Sequence, residues 1–356
     1  MNKGIVVGAV LALAGFGAGT YFARQDQPPP AAIAGSAGPS YTGGFRAEGE
    51  SAEAVKAGVA SGNIKAVAGP AGDAVIVVKD GESIQEAVKR AVPGTTIQIL
   101  PGTYHETVYI DKDNVRLIGV IEEGRRAVLD GERKLNDAIL YSGNNVVVEN
   151  LTITKYKGNG IMGQAGNNFE IRNNLIVDTG VYGIFPQLGQ NGVVEHNVVS
   201  GIEDAAIYVG MSDNVHVAHN DVFDSVAGIE IENSRHAIVE NNYVHNNTGG
   251  ILAFVTPGLP IKTTFDVIIR HNFIVGNNHD NFGAPGSTVA GIPPGTGVLI
   301  MAADDVVIEG NIISDNKTAG ILVTDHANAA NITVDPQSEP NSDRVKILDN
   351  TMLYNG

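Results

Sequence analysis

From Ala138 onward, small, apolar and polar positions recur along the chain with a long period that is not helical. The pairs Ala138-Ile139, Gly160-Ile161, Gly183-Ile184, Ala206-Ile207, Gly228-Ile229, Gly250-Ile251, Gly297-Val298 and Gly320-Ile321 each open an alternating run. Their spacings are 22, 23, 23, 22, 22, 47 and 23, so one segment carries an insertion about one extra coil long. A second column keeps the same register. Asn150, Asn174, Asn197, Asn220, Asn242, Asn272, Asn311 and Asn350 each close a short β-branched run, with Val147, Ile171, Val194, Val217, Val239, Ile269, Ile308 and Ile347 three residues earlier. Short strands recurring at this period define a solenoid whose turns bury an inward face against one another. Asparagine suits the bend, because it tolerates left-handed backbone and its amide can bond to the equivalent amide one coil away. The pattern predicts an all-β fold, a single-stranded right-handed parallel β-helix with coils ~4.8 Å apart.

Upstream the texture changes. "AVIVV" reads as a strand, and "SIQEAVKRA" as a short helix with Ser83 as N-cap and Glu86 as its capping-box partner. "TTIQILPGTYHETVYI" reads as two strands around a Pro-Gly turn. Together they predict a helix-plus-strand cap over 72–137, followed by repeats over 138–356 with an inserted loop at 255–296. Residues 25–71 are rich in Pro, Ala, Gly and Ser and too poor in large apolar side chains to build a core, which predicts a disordered linker. Residues 1–24 hold "GIVVGAVLALAGFGAGTYF", an uncharged run near the ~18 to 20 residues that span a bilayer. It reads as an N-terminal membrane anchor or, with Ala32-Ile33-Ala34 as a small-x-small site, as a signal peptide. Either exports the rest to the periplasm or cell surface. The last residues, "DNTMLYNG", stop in mid-coil without a polar cap, so the native protein is expected to continue beyond Gly356.

Charge narrows the partners. Lys plus Arg number 23 against 39 Asp plus Glu, a formal net charge of -16, so a polyanion is repelled unless cations intervene, and nucleic acid is not expected as a partner. A polysaccharide or an envelope protein remains, with membrane contact only through the N-terminal segment. Cysteine is absent, which removes disulfides and thiolate metal sites.

Alternation also assigns faces. After each opening Gly or Ala the next residue points inward and the following one outward. The outward positions by coil are Met162, Phe185, Tyr208, Glu230, Leu252, Leu299 and Leu322, and, two residues on, Gln164, Gln187, Gly210, Glu232, Phe254, Met301 and Thr324. An exterior this apolar is expected to be covered. The cover is the inserted segment acting as a lid, a glycan in a groove, or a docked partner protein; Phe185, Gln187, Phe254 and Met301 are the candidate ligand contacts.

Within this strip Glu230 and Glu232 share a face, Tyr208 lies one coil below Glu230, and Asp204 occupies the turn leading into Tyr208. Close carboxyls beside apolar groups raise one another's pKa, as acid/base catalysis requires, so these four are the candidate catalytic residues. Their oxygens could instead hold Ca2+, which would let an acidic protein bind a uronic-acid polymer. Blander readings are a solvated acidic patch or an ion pair with Lys262. His196, His219 and His271 form a broken column read as a turn-flanking stack rather than a metal site. Arg172 with Glu195, and Glu240 with Arg270, are expected as modest cross-coil pairs on an exposed face.

The stretch "SIQEAVKRAVPGTTIQILPGTYHETVYI" resembles the opening of pectin-lyase-like β-helix proteins, pectin methylesterases in particular. "GIEIENS", "NTGGILAFVTPGLP", "NFGAPG", "PPGTGVLIMA" and "ISDNKTAGILV" resemble a narrower group, exported bacterial parallel β-helix repeat proteins of unassigned activity. The resemblance covers residues 74 to 356 and implies fold and export, without catalytic residues. The "DPHD" of mannuronan epimerases and the "DFIFG" of pectin methylesterases are absent from the sequence. Lys155 and Lys157 beside Tyr156 are the nearest substitutes for a lyase base. Two functions follow: a protein that binds or processes a glycan, as a polysaccharide lyase, epimerase or hydrolase if it is an enzyme, or a non-catalytic envelope scaffold.

Overall fold

The structure is a computed structural model and describes residues 74–356. The proposed anchor or signal peptide and the whole of the linker lie outside the described residues. Each turn of the chain adds one strand to each of three parallel sheets, of 11, 9 and 10 strands. The opening columns stack as the period requires: Ile139, Ile161, Ile184, Ile207, Ile229, Ile251, Val298 and Ile321 are consecutive partners in the nine-stranded sheet. Their side chains, with Leu117, Val148, Ile171, Val194, Val217, Val239, Ile269 and Ile308 of the eleven-stranded sheet, fill one continuous core.

One coil is out of the expected phase. Ile171 pairs with Val148, so Val147 is not the inward residue there. The position equivalent to Asn174 is Leu151, whose N–H donates to Asn174 Oδ1 at 3.1 Å. Asn150 takes the preceding place, at φ 64°. That place carries the bend throughout: Asn173, His196, His219, Asn241, His271 and Asp349 all have φ between 49° and 57°. The left-handed residue turns the chain, and the asparagine after it works by another route. Each ladder amide from Asn174 to Asn311 donates to the Oδ1 of the next asparagine, and in the same bends Nδ2 reaches a strand carbonyl. Such amides are buried yet satisfied, which is the condition for tolerating them inside. Two further ladders escaped the sequence reading, one through Asn247, Asn277, Asn316 and Asn355, the other through Asn114, Asn145, Asn168, Asn191 and Asn214.

A helix, Ile84–Arg90, closes the lower end with Ile84, Ala87 and Val88 buried. Ser83 caps it by accepting from the Glu86 N–H at 3.1 Å. The Glu86 carboxylate does not return the bond; it pairs with Lys89, and Glu106 instead accepts from Ser83 Oγ and from the N–H groups of Ile84 and Gln85. The segment after the helix makes three strands, Thr96–Ile99, Gly102–Tyr104 and Val108–Ile110, where two were expected.

The span 255–296 is not one loop. It contains Thr264–Arg270 and Phe273–Val275, the strands that complete its coil, and so divides into connections at 255–263 and 276–295. The second carries a short 3-10 turn, Val289–Gly291, and folds back over the outside of the nine-stranded sheet. Val289 and Ile292 join Tyr182, Phe185, Tyr208, Leu252, Phe254, Leu299 and Met301 in a second apolar core, and Ala329 and Ile332 of a third connection, 325–345, pack against it. Asn281 Nδ2 holds the first flap by donating to Val289 O at 2.8 Å and Ile292 O at 2.9 Å. Asn331 Nδ2 ties the two flaps together through Ser287 O at 3.1 Å.

Candidate functional site

The acid cluster lies under these flaps. Glu230 stacks between Tyr208 and Leu252, and Glu232 between Gly210 and Phe254. Gly210 is required by the packing: a Cβ there would lie 3.0 Å from both Phe185 Cε2 and Tyr208 Cζ. The space it leaves lets the Tyr208 ring lean across, and the Tyr208 hydroxyl donates to Glu232 Oε2. Tyr182, Phe185 and Tyr208 pack ring against ring with centroids 4.5 to 4.7 Å apart, forming an apolar wall. Tyr182, Asp204, Glu230, Glu232, Phe254, Thr288 and Val289 then enclose a space of about 10 Å³, which is room for about one water.

Burial decides the charge state. Asp204, Glu230 and Glu232 are 7%, 2% and 2% exposed, and among the described residues none forms an ion pair with Lys, Arg or His. Lys262, a candidate partner, bonds Asp335 at 2.7 Å instead. Desolvation pushes the Asp204 carboxyl up to about 8, with Glu232 adding to it. Glu230 is driven well above the carboxylate range by burial and by Asp204. Glu232 is raised to about 7 by burial, and the Thr256 hydroxyl only partly offsets that; Thr256 Oγ1 makes no bond of normal geometry. Glu230 Oε1 is also buried without a hydrogen-bond partner. A group of acids held neutral, one with an unused oxygen, can donate or accept a proton near neutral pH.

The structure thus brings together Glu230, Glu232, Asp204 and Tyr208, with Phe254 at the edge. Phe185 backs Tyr208, Met301 lines a neighbouring space with Phe254, and Gln187 stands apart from both spaces. Tyr182, Thr256, Thr288 and Val289 were missed. Tyr182 precedes the Gly183 column by one residue, a position with a signal; the flap residues carry none.

Metal binding finds no support in this arrangement. Among the described residues no three His, Cys, Asp or Glu side chains are placed to hold a metal ion, and a space of about 10 Å³ does not fit the six to eight oxygen ligands of Ca2+. His196 and His219 stack face to face at 4.9 Å. The expected exposed pair of Glu240 and Arg270 is in fact buried: Arg270 Nε bonds Glu240 Oε2 at 2.7 Å, and His216 Nε2 lies 3.0 Å from Oε1. Desolvation works against the Glu240 charge, but the bonds from His216 and Arg270 bring its pKa down to about 2. Lys155 pairs with Asp130 at 2.9 Å, and the Tyr156 hydroxyl donates to the Glu106 carbonyl.

A three-sheet parallel solenoid defines a class of protein, and the family comparison agrees with it. The chain belongs to the right handed beta helix region family, whose model matches residues 133–222 and 225–356. Among solved structures, an alginate lyase from Paenibacillus sp. is 14% identical, covering 80% of this chain and 98% of its own, with a TM-score of 0.51. A family 28 exopolygalacturonase of Yersinia enterocolitica is 12% identical, covering 79% and 65%, with a TM-score of 0.54. The tailspike of E. coli bacteriophage HK620, solved with a pentasaccharide, is 11% identical, covering 76% and 53%, with a TM-score of 0.53. At these identities the likeness is one of fold, the right-handed parallel β-helix. No curated protein sequence matches the chain.

Proposed function

We propose that this is an exported β-helix protein that binds or processes a glycan, centred on Glu230, Glu232, Asp204 and Tyr208, with the 276–295 flap as the cover that lifts to admit a sugar. The observation that carries the reading is the unpartnered Glu230 Oε1, buried beside Asp204, which desolvation raises to about 8, and Glu232, which it raises to about 7. Uncompensated buried acids cost folding free energy and are retained where their chemistry is used. Glu230, neutral, is the proton donor; Glu232, poised at about 7 and bonded to Tyr208, exchanges protons with a sugar oxygen or carbon. Support from outside the chain is that the solved proteins sharing its fold include a lyase and an exopolygalacturonase of glycans and a tailspike bound to an oligosaccharide.

The scaffold reading has less support at this face, since Phe254 and Met301 are only 2% and 4% exposed. A screen of the full chain against uronate and neutral glycans, with and without Ca2+, tests the proposal by binding and by turnover. The expected result is a ligand whose binding or turnover is lost in Glu230→Gln/Glu232→Gln and strengthened in Asn281→Ala, which frees the flap. Failure of every glycan to bind either wild type or the Asn281→Ala variant, or an unchanged response in the double variant, rejects the site.

A further inference from the structure

Beside the acid cluster, and sharing Phe254, Thr288 and Val289 with it, lies a larger space of about 290 Å³. Its floor is the outer face of the nine-stranded sheet, where Leu252, Leu299 and Leu322 form one row and Phe254, Met301 and Thr324 the next. Residues of the two flaps, 288–293 and 328–330, wall it in. Two coil spacings make the floor ~10 Å long, and it is two rows wide, so its shape is a trough for a linear body. Thr288, Thr324 and Asn328 are the polar side chains that line it, and no Asp, Glu, Lys, Arg or His does. A sugar ring lying on the floor would leave most of its hydroxyls unpaired against leucine, phenylalanine and methionine, and a free carboxylate would lose its hydration with no cation in return.

We propose that this trough holds the linear acyl chain of an acylated glycan, with the chain on the two apolar rows and the ester end directed at Glu232 and Asp204. The inference rests on the glycan reading above and adds the apolar part of the ligand. Protonated carboxyls donate hydrogen bonds to an ester oxygen, whereas a carboxylate head would bring a further negative charge to acids that burial keeps neutral. Met301, unbranched and adaptable, lets the floor fit a chain of varied conformation.

Isothermal titration calorimetry of the full chain with glucose, with its hexanoyl, octanoyl and decanoyl monoesters below their micelle concentrations, and with sodium octanoate tests this. Affinity for the esters is expected to rise roughly fourfold per methylene until the trough is full, with a negative heat-capacity change. Glucose should not register, and octanoate should bind roughly tenfold more weakly than its ester. Ala329→Phe, which plugs the trough from the flap, should abolish ester binding while Leu299→Met retains it. Esters that bind no better than glucose, or that bind Ala329→Phe unchanged, overturn the proposal. Octanoate binding as tightly as its ester overturns it in favour of a free fatty acid. The screen described above uses unacylated glycans and the acid-cluster variants, so failure of the trough is distinguishable from failure of the acid site.

Discussion

Glu232→Gln isolates the cost of keeping a carboxyl neutral under the flap. Glutamine retains the shape and a carbonyl to accept from Tyr208, and removes only the titration. Below about pH 4.5 the Glu232 carboxyl is protonated whether the chain is folded or unfolded, and contributes nothing to the pH dependence. Above that, the unfolded chain releases its proton while the folded one holds it up to about 7. The unfolded state then binds fewer protons, and stability falls as pH rises, by up to ~1.4 kcal/mol per pH unit for one group. Between the ordinary value of 4.5 and about 7 the loss comes to ~3 kcal/mol. Asp204 and Glu230 shift in the same direction and steepen the wild-type decline. Denaturant unfolding of wild type and variant, measured in parallel between about pH 4.5 and about pH 8, reads the difference; groups that do not sense Glu232 cancel in it, and Asp204, which Glu232 pushes up, adds to it in the same direction. The variant should gain on the wild type by ~3 kcal/mol across that range, and protease cleavage within 283–292 should rise with pH in the wild type more steeply than in the variant. A constant difference across the range, or a variant that loses ground as pH rises, would refute a neutral buried Glu232.

Gly210→Ala forces a Cβ against Phe185 and Tyr208; it should cost ~1 to 3 kcal/mol in thermal or denaturant unfolding and displace Tyr208 from Glu232. Asn242→Ala removes donations to Val217 O and Asn272 Oδ1 and takes the Oδ1 acceptor from the Asn220 backbone N–H and from one of its two Nδ2 hydrogens, which predicts a loss of ~3 kcal/mol. Asn150→Ala, outside the ladder but left-handed, should lose only ~1 kcal/mol, so the ranking of the two by denaturation midpoint checks the corrected register. Arg270→Leu leaves Glu240 buried without its strongest cation and should destabilise by ~3 kcal/mol near about pH 7. Because the Glu240 pKa is depressed to about 2, its contribution is present above about pH 4.5 and fades as pH falls toward about 2, so the gap between Arg270→Leu and wild type should narrow in acid.

The inward columns were legible because a period of two admits no slippage once one face is buried: a shift by a single residue would have turned Ile184 or Ile207 out of the inner core onto the outer face of the sheet. The same rule explains the one error of phase. Around Asn150 both Val147 and Val148 are apolar, so local alternation does not say which points in, and only the pairing with Ile171 decides. The acid site was half legible. Strand phase put Glu230, Glu232 and Tyr208 on one face, but burial came from connections with no periodicity of their own, and without burial the acids read as a solvated patch. The buried Glu240–Arg270 pair was misread because strand phase gives the face of a side chain and not its depth.

Yet the cover did leave a trace among the strands. The position before the glycine column runs Tyr182, Ala205, Ala227, Gly249, Thr296 and Ala319 through consecutive partners, small at nearly every coil. A solvent-facing row has no need of small residues, since side chains there can extend freely. Gly249 shows what the row makes room for: a Cβ on it would lie 2.9 Å from Ile292 Cγ2 of the flap. A run of small residues beside two apolar rows therefore marks where a chain lies down on a solenoid, and Gly249→Val, by filling the seat of Ile292, should lift the flap while leaving the inward core intact. Increased protease cleavage within 276–295 at unchanged far-UV circular dichroism is the expected outcome; an unchanged cleavage rate would mean that Ile292 does not hold the flap closed.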